Sequence, residues 1–171
     1  LLATPGPTEM TLLCEIKPPL KICTFLWQWV CGRLPSGMEV RKRNGPGDGL
    51  CPLCNVPEDS THIFFRCPMA VFLWSCIRDV IGGDWAHDNL PDLFQAVLSR
   101  EARTRPSLWV VLGSMAWTLW TTRNKLVIEH VIPTRATDSI YKLCGFLQLW
   151  RPLSKRCDRD FIDRIILALR T

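Results

Sequence analysis

The sequence predicts a mainly α fold, and three observations carry that reading. Apolar residues recur at helical spacing along most of the chain, and β-type alternation is almost absent. The longest uncharged stretch, 106–122, also carries Gly113, Ser114, Thr118 and Thr121. A bilayer asks for roughly 20 predominantly apolar residues, so this stretch reads as a buried helix and not as a membrane span.

The elements follow in order. Residues 1–14, with Pro5-Gly6-Pro7, read as a leader, and Pro18-Pro19 bars helix ahead of the apolar run Leu20–Val30. In that run Ile22, Leu26, Trp29 and Val30 share one helical face, which Phe25 and Trp27 widen. Ser36 and Glu39 stand at capping-box spacing and open a short helix reaching Arg43. Asn44-Gly45-Pro46-Gly47-Asp48-Gly49 must be a loop. Pro68 suits the first position of a helix over 69–81, which Gly82-Gly83 ends. That glycine pair separates a small helical segment over 15–81 from a helical C-terminal region over 82–171. Within the latter, Asn89 caps a helix over 90–102, and a long helix over 107–129 stops short of Pro133. Helices over 134–150 and 158–170 complete the set.

With 171 residues, 47% apolar content, 21 Lys+Arg and 16 Asp+Glu, the chain is an ordinary globular composition of net charge +5. This excludes a disordered tail, a collagen-like fibre and a polybasic arm, and fits one domain or two small ones sharing a core. Residues 1–81 carry 8 basic and 7 acidic side chains, and 82–171 carry 13 and 9. That field assists contact with a polyanion without announcing it, so a nucleic-acid reading must come from motifs. Eight tryptophans against one tyrosine belong in helix interiors or interfaces. The chain begins at Leu1, which suggests a fragment or processed product. No signal-peptide pattern and no Asn-x-Ser/Thr sequon occurs, and nine cysteines is an odd number. The expectation is an intracellular, soluble, reduced protein, with a nuclear location open.

The sharpest motif is Cys51-Pro-Leu-Cys54, then seven residues to His62 and four to Cys67. Three thiolates and one imidazole are a structural zinc set, and a C-x2-C turn brings two sulfurs onto one ion. Pro52 and Pro68 stiffen the two halves. Four protein ligands leave no position for an activated water, so the zinc would be structural. The competing readings are four unrelated buried residues, or a redox C-x-x-C, which should follow a strand. Cys14, Cys23, Cys31, Cys76, Cys144 and Cys157 read mostly as small hydrophobes on helix faces, and His87 and His130 lack a spaced partner.

Over 16–81 the chain resembles the reverse-transcriptase zinc-binding domain of plant LINE-type, non-LTR retrotransposon polyproteins. Pro19-Leu-Lys21-Ile-Cys-Thr-Phe25-Leu-Trp27 looks like that family's opening helix, and Gly32-Arg33-Leu34-Pro35-Ser36 like the turn after it. Cys51-x2-Cys54, Glu58, His62-Ile63-Phe64-Phe65 and Cys67-Pro68-x-Ala70-x3-Trp74 resemble its zinc core and trailing helix. Further on, Trp117-x2-Trp120-x2-Arg123-Asn124 is similar to a helix that follows the domain in such polyproteins, although Ile128 stands where Phe is frequent. Leu147-x2-Trp150-Arg151-Pro152 resembles their C-terminal tails, while 82–106 matches nothing recognisable. The resemblance implies a module C-terminal to a polymerase that handles nucleic acid during target-primed reverse transcription.

No Tyr-x-Asp-Asp motif, Asp-Asp pair, deaminase His-x-Glu, phosphate-loop Lys-Ser/Thr or arguable Ser/His/Asp set is present, so no catalysis is expected in this stretch. Two functions of different kind remain. One is a nucleic-acid-binding zinc module using Arg41, Lys42, Arg43, Lys21, Arg33 and Arg66 on phosphates, with Phe64 or Phe65 stacking on bases unless they are core. The other is a zinc-stapled helical interaction module, docking on a polymerase or on its own copy. It would use Trp27, Trp29, Trp74, Trp109, Trp117 and Trp120 as a partly bare packing surface. A degenerate element copy is a third reading, against which the intact ligand set argues.

Overall fold

A computed structural model describes residues 19–82, 85 and 87–171; the predicted leader, the first residues of the segment at 15, Cys14 and Gly83 lie outside the described residues. Among the described residues the helices are α1 (Leu20–Val30), α2 (Gly37–Lys42), α3 (Pro68–Ile81), α4 (Leu90–Leu98), α5 (Arg105–Ile128), α6 (Thr137–Trp150) and α7 (Arg159–Arg170). A π turn lies at His62–Arg66, and two short 3-10 turns at Arg151–Leu153 and Arg156–Asp158 join α6 to α7. No strand occurs among them, only an isolated antiparallel bridge between Leu50 and Pro57. The fold is mainly α, as predicted.

Local chemistry explains the boundaries. α1 ends where Gly32 takes φ 63°, and the N–H groups of Gly32 and Arg33 return to the carbonyls of Trp29 and Gln28 at 3.0 and 2.7 Å. That is the glycine-stopped helix end, which needs a residue without a Cβ penalty at positive φ. The Ser36–Glu39 capping box does not form. Ser36 makes no cap bond, and Glu39 turns instead to Lys42 at 2.6 Å and Arg43 at 4.0 Å. Glu58 meets the start of the helix instead, its Oε1 accepting the Gly37 N–H at 2.9 Å and its carbonyl the Met38 N–H at 3.0 Å, while the Ser36 N–H that a capping box would offer Glu39 donates to the Leu34 carbonyl. α4 is capped as expected, with Asn89 Oδ1 accepting from Asp92 N–H at 2.9 Å. It stops at Leu98, four residues early, because the Arg105 guanidinium takes the Leu98 and Arg100 carbonyls at 2.7 and 2.9 Å.

α5 is the axis of the molecule, buried on every side across 107–120, with α1, α3, α4, α6 and α7 packed around it. Its uncharged stretch is thus satisfied by protein, and no described helix is long and apolar enough to cross a membrane. Gly113 makes room for a ring of α6: a Cβ there would meet Trp150 Cζ3 at 3.3 Å. Residues on both sides of Gly82 enter one continuous hydrophobic cluster.

The tryptophans do not form a bare surface. Trp29, Trp74, Trp109, Trp117 and Trp120 are all buried within the chain, and only Trp27, at 39% exposure, is open to solvent. Phe64 and Phe65 are core as well. Trp29 lies 4.4 Å from Phe64, Phe25 5.0 Å from Trp117, and Phe65 stacks on Trp74 at 6.0 Å, ring centre to ring centre. Large aromatic area is most favourable in a shared interior, and three helices converging on one short loop provide it. The loop in question carries the Cys/His motif.

Candidate metal centre

The motif's first half is a tight knuckle. The N–H of Cys51 donates to the carbonyl of Val56 at 2.8 Å, and the N–H of Asn55 to the carbonyl of Cys51 at 2.8 Å. Asn55, at φ 58°, supplies the left-handed residue that folds Pro52, Leu53 and Cys54 back on Cys51. The second half is the π turn. Asp59 Oδ1 accepts the His62 N–H at 2.6 Å, and the Cys67 N–H reaches the His62 carbonyl at 2.7 Å, an i→i+5 bond. An α-helix would turn residues five apart onto different faces, whereas the wider π turn stacks His62 and Cys67 over one another. It also buries four consecutive side chains, His62, Ile63, Phe64 and Phe65. Trp74 Nε1 locks this turn to α3 by donating to the Phe64 carbonyl at 2.9 Å.

The donor atoms converge. The ligating atoms of Cys51, His62 and Cys67 all lie within 4.8 Å of one another, and the three residues are buried. Cys51 Sγ is 4.0 Å from Cys67 Sγ, and Cys54 Sγ is 3.4 Å from His62 Nε2. A disulfide needs about 2.05 Å, so the 4.0 Å pair is not one. Zn–S bonds of about 2.3 Å and Zn–N bonds of about 2.0 Å at a tetrahedral centre imply edges of about 3.8 Å between sulfurs and about 3.5 Å between sulfur and nitrogen. The two measured edges fit that figure, while Cys54, half-buried, stands outside the group of three whose donors all lie within 4.8 Å of one another. Electrostatics agree: a hydrogen bond from Cys67 holds Cys51 as a thiolate, its pKa lowered to about 4, while the same bond and burial push the Cys67 thiol up. Burial first, then Cys51, raises Cys54. Among the described residues no strand precedes the C-x-x-C, which a thioredoxin-like redox motif would need.

Glu58 ties the knuckle to the rest of the molecule. Its side chain is 1% exposed, and its Oε1 accepts from Arg123 Nη2 at 2.6 Å and Nε at 3.0 Å, besides the Gly37 N–H. Arg123, on α5, is 13% exposed and lies over the Trp120 ring at 5.4 Å. Backbone bonds continue the tie: the Glu58 N–H reaches the Gly49 carbonyl, and the Met38 N–H reaches the Glu58 carbonyl. One carboxylate therefore joins α2, the knuckle and α5. Glu58 and Arg123 stand in separate motifs 65 positions apart; nothing in either motif names the other as partner.

The basic side chains singled out in the sequence are all exposed. Lys21 lies over Trp117 at 5.5 Å and Arg33 over Trp27 at 5.3 Å, so their charges rest on indole faces. Arg41 donates to the Asp48 carbonyl at 3.0 Å, and Lys42 and Arg43 share Glu39. Arg66 ends the π turn. Of the other cysteines, Cys144 is buried, with its thiol pushed up by desolvation, and Cys157 is exposed.

Residues 5–74 match the family model described as zinc-binding in reverse transcriptase, and over that segment the chain is similar to such domains. No curated protein and no solved structure matches the chain.

Proposed function

We propose that Cys51, Cys54, His62 and Cys67 hold one structural zinc ion, and that the chain is a non-catalytic module of a retrotransposon reverse-transcriptase-like protein of the plant LINE, non-LTR type. The observation that carries the reading is the buried convergence of soft donors at tetrahedral spacing, inside a segment of the matching family. Four protein ligands close the coordination sphere, so the ion's contribution is to folding and not to chemistry. The test is zinc stoichiometry of the purified chain and of Cys54→Ser. One zinc per chain is expected, falling together with helical signal in the variant; unchanged zinc in Cys54→Ser overturns the ligand set.

The module's work is contact with nucleic acid. Arg41, Lys42 and Arg43 close α2 beside the knuckle, and Arg66, Lys21 and Arg33 stand exposed on the same segment, which supports phosphate contact. Anisotropy of a labelled single-stranded RNA and a labelled DNA duplex across a salt series tests it. Affinity should fall steeply with salt and weaken in Arg41→Ala/Lys42→Ala/Arg43→Ala. Absence of binding by the zinc-loaded chain at low salt rejects the nucleic-acid role and leaves the zinc assignment standing.

A further inference from the structure

The second half of the molecule has a cleft that the zinc segment does not explain. It lies between the end of α3, the α4–α5 connection, the start of α5 and the 3-10 turn leading into α7, and encloses about 800 Å³. Ligand sites commonly run to about 300–1,000 Å³, with an apolar floor and a few polar groups. Here the floor is Ile81, Trp85, Leu108 and Phe161. Four cations, Arg100, Arg103, Lys155 and Arg164, line it against two carboxylates, Asp158 and Asp160.

The cations differ in what already engages them. Arg103 bonds Glu101 at 2.7 Å, and Arg100 lies over the Trp85 ring at 5.2 Å. Lys155 and Arg164 have no ion-pair partner among the described residues. The cleft also receives the start of α5, the longest described helix, whose first turn holds no acidic residue. Its N-cap Thr104 makes no cap bond: its backbone is helical, at φ −91° and ψ −17°, where a capping residue is extended, and its hydroxyl donates to the Glu101 carbonyl at 2.9 Å. The positive end of a 24-residue helix is thus left without a side-chain acceptor. Ser107, which lines the same floor, is 1% exposed and its hydroxyl has no partner. A buried hydroxyl without an acceptor is costly, and a ligand oxygen would relieve it.

We propose that this cleft binds a nucleotide unit: its phosphate at the start of α5 between Lys155 and Arg164, and its ring against the apolar floor beside Phe161. A free nucleoside monophosphate and one residue of a single strand share that chemistry. The site is separate from the zinc segment, and its existence does not depend on the nucleic-acid role assigned there.

The test uses the zinc-loaded full chain at low salt with three probes: a labelled ten-residue oligodeoxythymidine, thymidine monophosphate and inorganic phosphate. Lys155→Ala/Arg164→Ala, both exposed positions, should weaken oligonucleotide binding about tenfold and lower the salt slope by about one per lost phosphate contact. Arg41→Ala/Lys42→Ala/Arg43→Ala should leave thymidine monophosphate binding unchanged. Binding of the monophosphate assigns a free nucleotide as the source, and binding of the oligomer alone assigns a strand; either supports the site when it depends on Lys155 and Arg164. Phosphate binding as tightly as the monophosphate, no binding at all by the folded chain, or affinity indifferent to Lys155 and Arg164 overturns it. Phe161→Leu, which keeps an apolar floor, supplies a second readout: weakened monophosphate binding with phosphate unaffected.

Discussion

Over 49–67 the chain makes one isolated β-bridge and one π turn, and is held by a Cys/His cluster, a carboxylate and the aromatic rings beneath it. Over α5, α6 and α7 it buries Leu112, Met115, Leu143, Leu147, Ile162 and Ile165 almost completely, and needs no such chemistry. The difference is one of surface to volume. A loop too short to enclose its own core is fixed by a few directional contacts, each indispensable, whereas a helical layer spreads its stability over many non-directional ones. Glu58 and Arg123 are where the two regimes meet.

Metal removal should separate them most sharply. Structural zinc contributes apparent binding free energy of about 10–16 kcal/mol, so chelation should strip amide protection from the knuckle and π turn first. Hydrogen exchange should still find the amides in the middle of α5 protected. Simultaneous loss in both regions would make the chain a single cooperative unit and remove the distinction.

Arg123→Ala comes next. It leaves the Glu58 carboxylate buried without its counter-charge, and removing one partner of a buried pair costs about 3–5 kcal/mol. Denaturant midpoints read the loss, and exchange should place it at α2 and the knuckle. A shift below about 1 kcal/mol would mean that the aromatic contacts alone tie the two regions.

Leu143→Ala probes the helical layer by itself. A fully buried leucine on α6 costs about 2–5 kcal/mol on truncation, according to how far its surroundings collapse. Thermal unfolding should register that cost while zinc stoichiometry stays unchanged; loss of zinc would show the layers to be coupled through the core.

The smallest effect belongs to the surface. Arg151 Nε meets Asp163 Oδ1 at 2.6 Å, and the guanidinium holds that carboxyl below its ordinary value of 3.8. A depressed carboxyl pKa stabilises the fold at neutral pH, and the contribution drains away as the pH falls through the folded value. Asp163→Asn should therefore lower the melting temperature slightly at pH 7, with the gap to the parent closing in strong acid. A gap that persists there would mean that the side chain acts by packing.

Much of this architecture was legible in advance because it rests on local rules. The run Leu20–Val30 has the helical period and forms that helix, Asn89 has the cap chemistry and caps, and Pro68 starts α3. The Cys51, Cys54, His62 and Cys67 spacing was enough to put forward a candidate ligand set, of which the fold brings the donor atoms of Cys51, His62 and Cys67 within 4.8 Å of one another, since ligand chemistry constrains residue type and separation together. The tryptophans were read less well: composition can say that eight indoles need apolar company, but not whether a partner or the chain itself provides it.

Ser36 shows how a sound local rule loses to tertiary structure. Its spacing to Glu39 is that of a capping box, yet its own N–H goes to the Leu34 carbonyl and the first helical N–H groups, of Gly37 and Met38, go to Glu58 from a distant part of the chain. The π turn is the same lesson in the backbone, for no side-chain pattern over 62–66 distinguishes an i→i+5 turn from an α one. The sequence by itself determined the helical class and most element starts, and put forward Cys51, His62 and Cys67 among its candidate donors, because period, caps and ligand spacing act over a few residues. Only the tertiary structure decided the Glu58–Arg123 tie, the interior place of Trp29, Trp109 and Trp117, and the basic cleft at the start of α5. Those depend on which distant surfaces meet, and burial turns such meetings into large energies only once the chain has folded.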